Sequence, residues 1–239
     1  MINGVSWTAN VLTLFPEVFP GTLGASIIGK ALKDGRWKLN KVNIRDFSND
    51  RYGHIDASPY GGGEGMIIRP DVISSALDSL IGLNENVPIF CLSPRGKLVN
   101  QDLIKEIIAK PNAIFLCGRY EGVDQRVIDS YDMQEISICD SVLAGGEVAT
   151  MAVIESCVRL LPNVLGNPQS AQSDTFSNYL LEHDQYTFPE KWNCLPVPGV
   201  LLTGNHVKID AFKENKSKNI TKTRRPDLWA KYVAQSLQK

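Results

Sequence analysis

The 239-residue sequence has no Cys-x-x-Cys pair, no apolar run of the roughly 18 residues that span a membrane, and no charged N-terminal segment followed by an apolar core. Its five cysteines lie far apart, mostly within apolar runs, at Cys91, Cys117, Cys139, Cys157 and Cys194. Such cysteines usually behave as small buried hydrophobic residues, so we predict neither a metal site nor a redox site. A chain of this length can bury a core without disulfides, and we expect a cytoplasmic protein in a reducing compartment.

Common nucleotide-binding and catalytic motifs are missing as well. The glycine-dense segment Tyr60–Met66 fits neither the dinucleotide Gly-x-Gly-x-x-Gly spacing nor a phosphate loop that ends in Gly-Lys-Ser/Thr. There is no Gly-x-Ser-x-Gly elbow and no His-Glu-x-x-His helix, and the only histidines are His54, His183 and His206. These absences disfavour an NAD-dependent dehydrogenase, an ATP-binding protein and a hydrolase.

Positive charge is concentrated at the C-terminus. Residues 208–239 contain nine lysines and arginines and three acidic residues, which gives this segment a net charge of +6 and leaves −7 for the rest of the chain. Such a segment is usually a solvated helical end. The alternative is a basic arm that faces the phosphate groups of a nucleic acid.

Apolar runs of strand length alternate with stretches of helical periodicity along most of the chain. The predicted strands are Asn10–Leu14, Val87–Leu92, Ala113–Cys117 and Glu135–Ile138, and the predicted helices are Ala25–Lys33, Asp71–Ile81, Gln101–Ala109, Val123–Ser130 and Glu147–Leu161. This alternation predicts an α/β fold with a mostly parallel sheet and helices on both faces. The polar segment Asn163–Ser173 has linker composition, so we predict two domains that divide near residue 166.

Glycine-bearing loops follow three of the predicted strands. The loops are Ser93-Pro94-Arg95-Gly96, Gly118-Arg119-Tyr120-Glu121-Gly122 and Cys139-Asp140-Ser141-Val142-Leu143-Ala144-Gly145-Gly146-Glu147. Because ligands of open α/β sheets bind beyond the carboxyl ends of the strands, these loops predict a ligand pocket. Each loop alone would favour ordinary turn chemistry over a ligand site.

Taken in order, these stretches resemble the bacterial tRNA (guanine-N1)-methyltransferase family, which belongs to the SPOUT class with a trefoil knot. The matching stretches are Leu14-Phe15-Pro16-Glu17, Arg45-Asp46-Phe47, Pro59 to Met66, Ser93 to Gly96, Gly118 to Gly122, Ser137 to Glu147, Val164-Leu165-Gly166, Ser173-Asp174-Thr175-Phe176, Tyr186-Thr187, Val200 to His206 and Arg224-Arg225-Pro226-Asp227. The series spans nearly the whole chain, so the resemblance does not depend on any single motif.

The resemblance implies that the three glycine-bearing loops form the knot and bind S-adenosylmethionine. The implied contacts are Ser93, Pro94, Gly118, Tyr120, Glu121, Gly122, Ser137, Ile138, Leu143, Gly145 and Gly146. It further implies a knotted cofactor domain over residues 1–165, a linker over 166–173 and a small, mainly helical tRNA-binding domain over 174–239. The implied partners are tRNA and a second copy of the chain in a homodimer, and Glu121 is an implied contact for Mg2+.

Two residues are implied to act on the guanine. N1 of guanine carries a proton near neutral pH, so a general base must remove that proton before the methyl group is transferred. By resemblance Asp174 is this base, and Arg159 positions the base and the guanine or stabilises negative charge near O6. The residues alone favour other roles, a helix N-cap for Asp174 and a helix-end charge for Arg159.

The chain departs from the family pattern at several positions. Asp184 and Phe188 flank Tyr-Thr where proline and a basic residue are usual, and Asp210, Ala211 and Phe212 stand where arginines are expected. In the knot, Cys139 replaces a glycine and Ser141 replaces an aromatic residue. The alternatives are a SPOUT methyltransferase that acts on another RNA position and a non-catalytic RNA-binding protein that kept the fold.

Overall fold

The computed structural model describes residues 6–82, 87–166, 175–176 and 178–237. The chain divides into two compact units, Met1–Pro168 and Gln169–Lys239. Within the described ranges, no helix has both the length and the apolar character needed to cross a membrane.

The first unit is built on a five-stranded sheet. Its elements in chain order are β1 (Trp7–Thr13), α1 (Ser26–Lys33), β2 (Trp37–Asn43), β3 (Asp56–Ala57), β4 (Ile67–Ile68), α2 (Pro70–Ile81), β5 (Ile89–Leu98), α3 (Gln101–Ile108), β6 (Asn112–Cys117), α4 (Gln125–Ser130), β7 (Gln134–Ser137) and α5 (Glu147–Arg159). The strand order is β2-β1-β6-β5-β7, and each of these pairings is parallel. The predicted α/β class with a mostly parallel sheet is confirmed.

Helices cover both faces of this sheet. Because successive side chains of a strand point to opposite faces, Phe115 and Cys117 of β6 join one core and Ile114 and Leu116 join the other. The first core also contains buried residues of α1, α3 and α5, and the second contains buried residues of α2 and α4. This arrangement leaves the carboxyl ends of the strands free of helices and available to loops.

Two strands of the five-stranded sheet differ most from the sequence-based expectation. The edge strand β2 was not predicted, because four of its seven residues are lysine or asparagine and it has no continuous apolar run. The alternation of Trp37 and Leu39 with polar neighbours was the signal for it. Strand β5 continues past Leu92 to Leu98, and residues 93–96 form an irregularity where the pairing with β7 shifts. The trefoil knot stays a prediction of the family resemblance.

The second unit is small and mainly helical. It contains a short antiparallel pair, β8 (Lys191–Trp192) and β9 (Leu195–Pro196), followed by α6 (His206–Arg224) and α7 (Pro226–Ser236). The Asn205 side chain accepts a hydrogen bond from the backbone of Lys208 and caps α6 at its N-terminus. The buried Thr221 joins the unit's first segment to α6, since its Oγ1 accepts a hydrogen bond from the backbone of Leu181 at 2.8 Å.

Candidate functional site

A cavity of about 670 Å³ opens at the carboxyl edge of the sheet, where the second half of β5 meets the loops after β6 and β7. Its volume lies within the range typical of small-molecule sites. All the residues expected to contact the methyl donor line it, namely Ser93, Pro94, Gly118, Tyr120, Glu121, Gly122, Ser137, Ile138, Leu143, Gly145 and Gly146. The structure therefore brings together in one place residues that are up to 53 positions apart in the sequence.

The loop after β6 forms a turn with unusual backbone angles. Tyr120 has φ 58° and Gly122 has φ 122°, and the second of these values is accessible almost only to glycine. The backbone N–H of Glu121 donates to the carbonyl of Met66 at 3.0 Å. The side chain of Glu121 packs so closely on Gly65 that a Cβ atom there would lie 2.4 Å from its Cγ.

The glycine-dense segment Tyr60–Met66 thus has a role that its sequence did not show. It lies beside the loop after β6, and Tyr60, together with the adjacent Pro59, lines the cavity. Tyr60 is 99% exposed, so its ring is available to a ligand in the cavity. The absence of a side chain at Gly65 lets the two segments approach each other.

The irregular part of β5 forms another wall. Gly96 lies so close to β7 that a Cβ atom there would be 2.3 Å from the backbone nitrogen of Ile136. The Arg95 guanidinium reaches across to the Glu135 carboxylate at 2.9 Å and to the Gln125 side-chain oxygen at 3.1 Å. Ser93-Pro94-Arg95-Gly96 is therefore part of a strand whose register against β7 shifts beside the cavity, rather than a free loop.

The third wall comes from the glycine pair before α5. The backbone N–H of Gly146 donates to the carbonyl of Gly118 at 2.8 Å, which links the loops that follow β6 and β7. A Cβ atom at Gly146 would lie 2.9 Å from the backbone nitrogen of Gly118. The close approach of these two loops requires a glycine at position 146.

An ion pair between a buried carboxylate and a partly exposed arginine lies next to these loops. Glu147, which is 2% exposed, accepts a hydrogen bond from Thr13 Oγ1 at 2.8 Å and another from Arg119 Nε at 2.9 Å. The Arg119 guanidinium also lies 4.4 Å from the centre of the Phe15 ring. Sequence reasoning assigned no role to Arg119 or Glu147, because no local pattern shows that a carboxylate is buried.

The cysteines near the cavity are poorly suited to nucleophilic chemistry. Burial raises the pKa of the Cys91 thiol to about 12 and raises the pKa of Cys117 even further. Both thiols therefore stay protonated near neutral pH, and a thiol is a much weaker nucleophile than a thiolate.

The two residues expected to act on the guanine are not part of the cavity wall as described. Arg159 is the last residue of α5 and is half-buried, and the cavity lining does not include it. Asp174 lies outside the described residues, as do residues 167–173 of the expected linker. Among the described residues, no group of three or more His, Cys, Asp and Glu side chains is arranged to hold a metal ion.

Comparison with known proteins identifies the family. Residues 8–231 match the family model described as tRNA (Guanine-1)-methyltransferase TrmD. The chain belongs to this tRNA (guanine-1)-methyltransferase family. The family and the enzyme class expected from the sequence, a SPOUT-class tRNA methyltransferase that uses S-adenosylmethionine, are confirmed.

Several relatives are similar over nearly their whole length. A protein of Ehrlichia canis (strain Jake) is 51% identical over 220 residues, which cover 92% of this chain and 94% of the relative. One of Ehrlichia ruminantium (strain Gardel) is 50% identical over 223 residues, or 93% and 95% of the two chains. One of Ruegeria pomeroyi is 45% identical over 234 residues, or 98% and 96%. All three are named tRNA (guanine-N(1)-)-methyltransferase.

Proposed function

We propose that this protein transfers the methyl group of S-adenosylmethionine to N1 of guanosine at position 37 of tRNA, beside the anticodon. The observation that carries the proposal is that the residues predicted to contact the methyl donor line one cavity, in a chain that matches the family over residues 8–231. The alternative, a SPOUT methyltransferase acting on another RNA position, shares the cavity and differs in the modified base.

The walls of the cavity suit a nucleoside with a polar tail. Gly118, Gly145 and Gly146 have no side chains, so their backbone N–H and carbonyl groups can form hydrogen bonds with adenine and ribose directly. Ile138 and Leu143 add apolar surface next to them. When bound, S-adenosylmethionine supplies an electrophilic methyl group on its sulfonium sulfur.

The protein must still create a nucleophile on the guanine. We assign the general base to Asp174, which removes the N1 proton so that the nitrogen lone pair can attack. Arg159 is assigned to orient the base and the guanine and to stabilise the negative charge that spreads toward O6. The methyl group passes directly from S-adenosylmethionine to guanine N1, without a covalent intermediate on the enzyme. The reaction therefore requires mainly a general base and an alignment of N1 with the methyl group.

Two further features belong to the same proposal. The site combines the cofactor cavity of one protomer with the C-terminal unit of its partner in a homodimer, and the segment after residue 173 binds tRNA. A magnesium ion would be held at Glu121, whose exposed carboxylate lines the cavity, because Mg2+ is commonly bound through one or two carboxylates with water and substrate completing its shell. When bound, the ion would supply positive charge that stabilises negative charge developing on the substrate.

Labelled S-adenosylmethionine and unmodified tRNA with G at positions 36 and 37 test the proposal. We expect label on N1 of G37, mapped by nuclease digestion and mass spectrometry, and no label on a matched tRNA with A at position 37. Label on a different nucleotide of the first tRNA would support the alternative and exclude the proposed function.

A further inference from the structure

A buried carboxylate joins three segments that are distant in sequence. Glu147 begins α5, Thr13 ends β1, and Arg119 lies in the loop after β6. Thr13 Oγ1 donates to one carboxylate oxygen of Glu147 at 2.8 Å, and Arg119 Nε donates to the other at 2.9 Å. A buried charge is costly without partners, so we expect removal of either hydrogen bond to destabilise the contact between these segments.

The Arg119 side chain extends this connection to the cavity wall. Its Nη1 donates to the Ala144 carbonyl at 3.3 Å, and its guanidinium packs on the Phe15 ring. A Cβ atom at Gly145 would lie 2.2 Å from Arg119 Nε, so the side chain lies directly against the Gly145 backbone. The side chain of Arg119 therefore links its own loop, which follows β6, to the loop after β7.

The geometry requires an arginine rather than a positive charge alone. A guanidinium is planar and carries donors in a rigid fork, so it can bond Glu147 and Ala144 while its face rests on Phe15. A lysine ammonium is a point charge that can satisfy the carboxylate but offers neither the flat surface nor the second fixed donor. Charge pairing and positioning can therefore be separated by mutation.

We propose that Arg119, fixed by Glu147 and Thr13, is a positioning residue that holds the loops after β6 and β7 in the arrangement that binds the methyl donor. It does not contact the reacting atoms. It acts through the backbone of Gly118 and of Gly145, and the Gly118 carbonyl accepts a hydrogen bond from the Gly146 backbone. The inference rests on the proposed function for the identity of the donor, S-adenosylmethionine.

The test compares Arg119→Lys, Glu147→Gln and the double variant. Arg119→Lys keeps the charge, and Glu147→Gln keeps an acceptor for Thr13, so both changes are conservative in a buried site. Arg69→Lys is the matched control, because Arg69 bonds the Asp71 carboxylate through Nε and Nη2 outside the cavity. Thermal melting shows that each variant is folded at the temperature of the binding measurements.

Calorimetric titration with S-adenosylmethionine, followed by steady-state kinetics, supplies the readout. We expect each single variant to weaken binding by about tenfold, with little further weakening in the double variant, because residues that act as one unit are not additive. The KM for S-adenosylmethionine should rise more than kcat falls, and Arg69→Lys should bind like the wild type.

The outcomes separate this inference from the proposed function. Wild-type methylation of G37 together with unchanged S-adenosylmethionine affinity in folded Arg119→Lys and Glu147→Gln overturns the inference alone. Fully additive effects of the two changes overturn it as well. A wild type that binds S-adenosylmethionine but leaves N1 of G37 unmodified overturns the proposed function, and the affinities of the variants still decide the positioning role. If Glu147→Gln does not fold, Thr13→Val, which removes only the hydroxyl, takes its place and should reduce the affinity by a smaller factor.

Discussion

Individual glycines in the cavity wall differ in what they tolerate. A Cβ atom at Gly118 would meet only the Leu92 carbonyl, at 3.1 Å, whereas one at Gly146 would lie 2.9 Å from both Cys117 Cα and Gly118 N. The first contact can be relieved by a small shift, but the second is against backbone on the opposite loop. A side chain at position 118 should therefore affect mainly the bound ligand, whereas one at position 146 should displace the cavity wall.

We expect Gly146→Ala to weaken S-adenosylmethionine binding more than Gly118→Ala does, and to lower stability by about 1–3 kcal/mol because it overpacks a close contact. Calorimetry and urea unfolding measure the two effects. Gly199→Ala is the matched control, since a Cβ atom there meets nothing within 4 Å. Equal affinities of all three variants and the wild type would remove Gly118 and Gly146 from the cofactor site.

The cysteines offer a separate test at the residue scale. Burial raises the pKa of Cys91 and of Cys157 to about 12, whereas Cys194 is exposed. We expect iodoacetamide at pH 8 to alkylate Cys194 first and to leave Cys91 and Cys157 unmodified, because the thiolate is the reactive form. Mass spectrometry of peptides follows each site, with denatured protein as the control. Rapid alkylation of Cys91 in the native protein would contradict the described burial.

At the scale of elements, the positive charge of the C-terminal helices divides into two kinds. Lys222 and Arg224 end α6 and are exposed. Arg225 donates to both carboxylate oxygens of Asp227, at 2.9 and 2.6 Å, and this hydrogen bonding lowers the pKa of Asp227 to about 2. Arg225 therefore organises the junction between α6 and α7, and the two exposed residues are the better candidates for phosphate contacts.

Replacement of Lys222 and Arg224 with alanine should weaken tRNA binding and reduce the slope of log K against log salt by about 1 for each phosphate group that the protein no longer neutralises. Affinity for S-adenosylmethionine should not change. Lys33→Ala with Lys110→Ala makes the same charge change in the first unit and serves as control. A salt slope equal to that of the wild type would show that Lys222 and Arg224 do not contact phosphate groups and are ordinary solvated charges.

At the scale of the whole molecule, catalysis is proposed to depend on two units and two chains. The described cavity belongs to the first unit, and the proposed base, Asp174, belongs to the second. Asp174→Asn keeps the size and the helix-capping ability of the side chain but removes its basicity. This variant therefore distinguishes a general base from an N-cap.

We expect Asp174→Asn to lower single-turnover methylation by about 10²–10⁴-fold, the usual contribution of a general base, with S-adenosylmethionine and tRNA binding nearly intact. Rapid-quench assays at neutral pH measure the rate, and Asp184→Asn is a control with the same chemical change in the same unit. Methylation by Asp174→Asn at close to the wild-type rate would leave only the capping role.

Mixing Asp174→Asn with Arg159→Ala tests the dimer. If the two residues of one site come from different chains, a mixed dimer has one site with both lesions and one site with neither, so activity should recover toward half of the wild-type value in that dimer. If both residues come from the same chain, each mixed site carries one lesion and activity stays low. Activity after subunit exchange, compared with the unmixed variants, decides between the two arrangements.

Local patterns in the sequence determined much of the fold and predicted the position of the ligand cavity. The periodicity of apolar residues predicted α1 to α5 and four of the five strands of the sheet, because a face that packs on a core must repeat with the period of its element. Glycines after three strands indicated where backbone would meet a ligand. The ordered motifs then identified the family, which supplied the cofactor and the reaction.

Tertiary structure alone decided how those pieces meet. The edge strand β2 is polar and has no local apolar run that predicts it. Parallel pairing with β1 stabilises it. The Thr13–Glu147 hydrogen bond joins residues 134 positions apart, and Arg119 and Gly145 meet only once both loops are in place. A sequence records which residues are charged. Whether a charge is buried and which partner it meets depend on contacts between distant segments, and those contacts exist only in the folded chain.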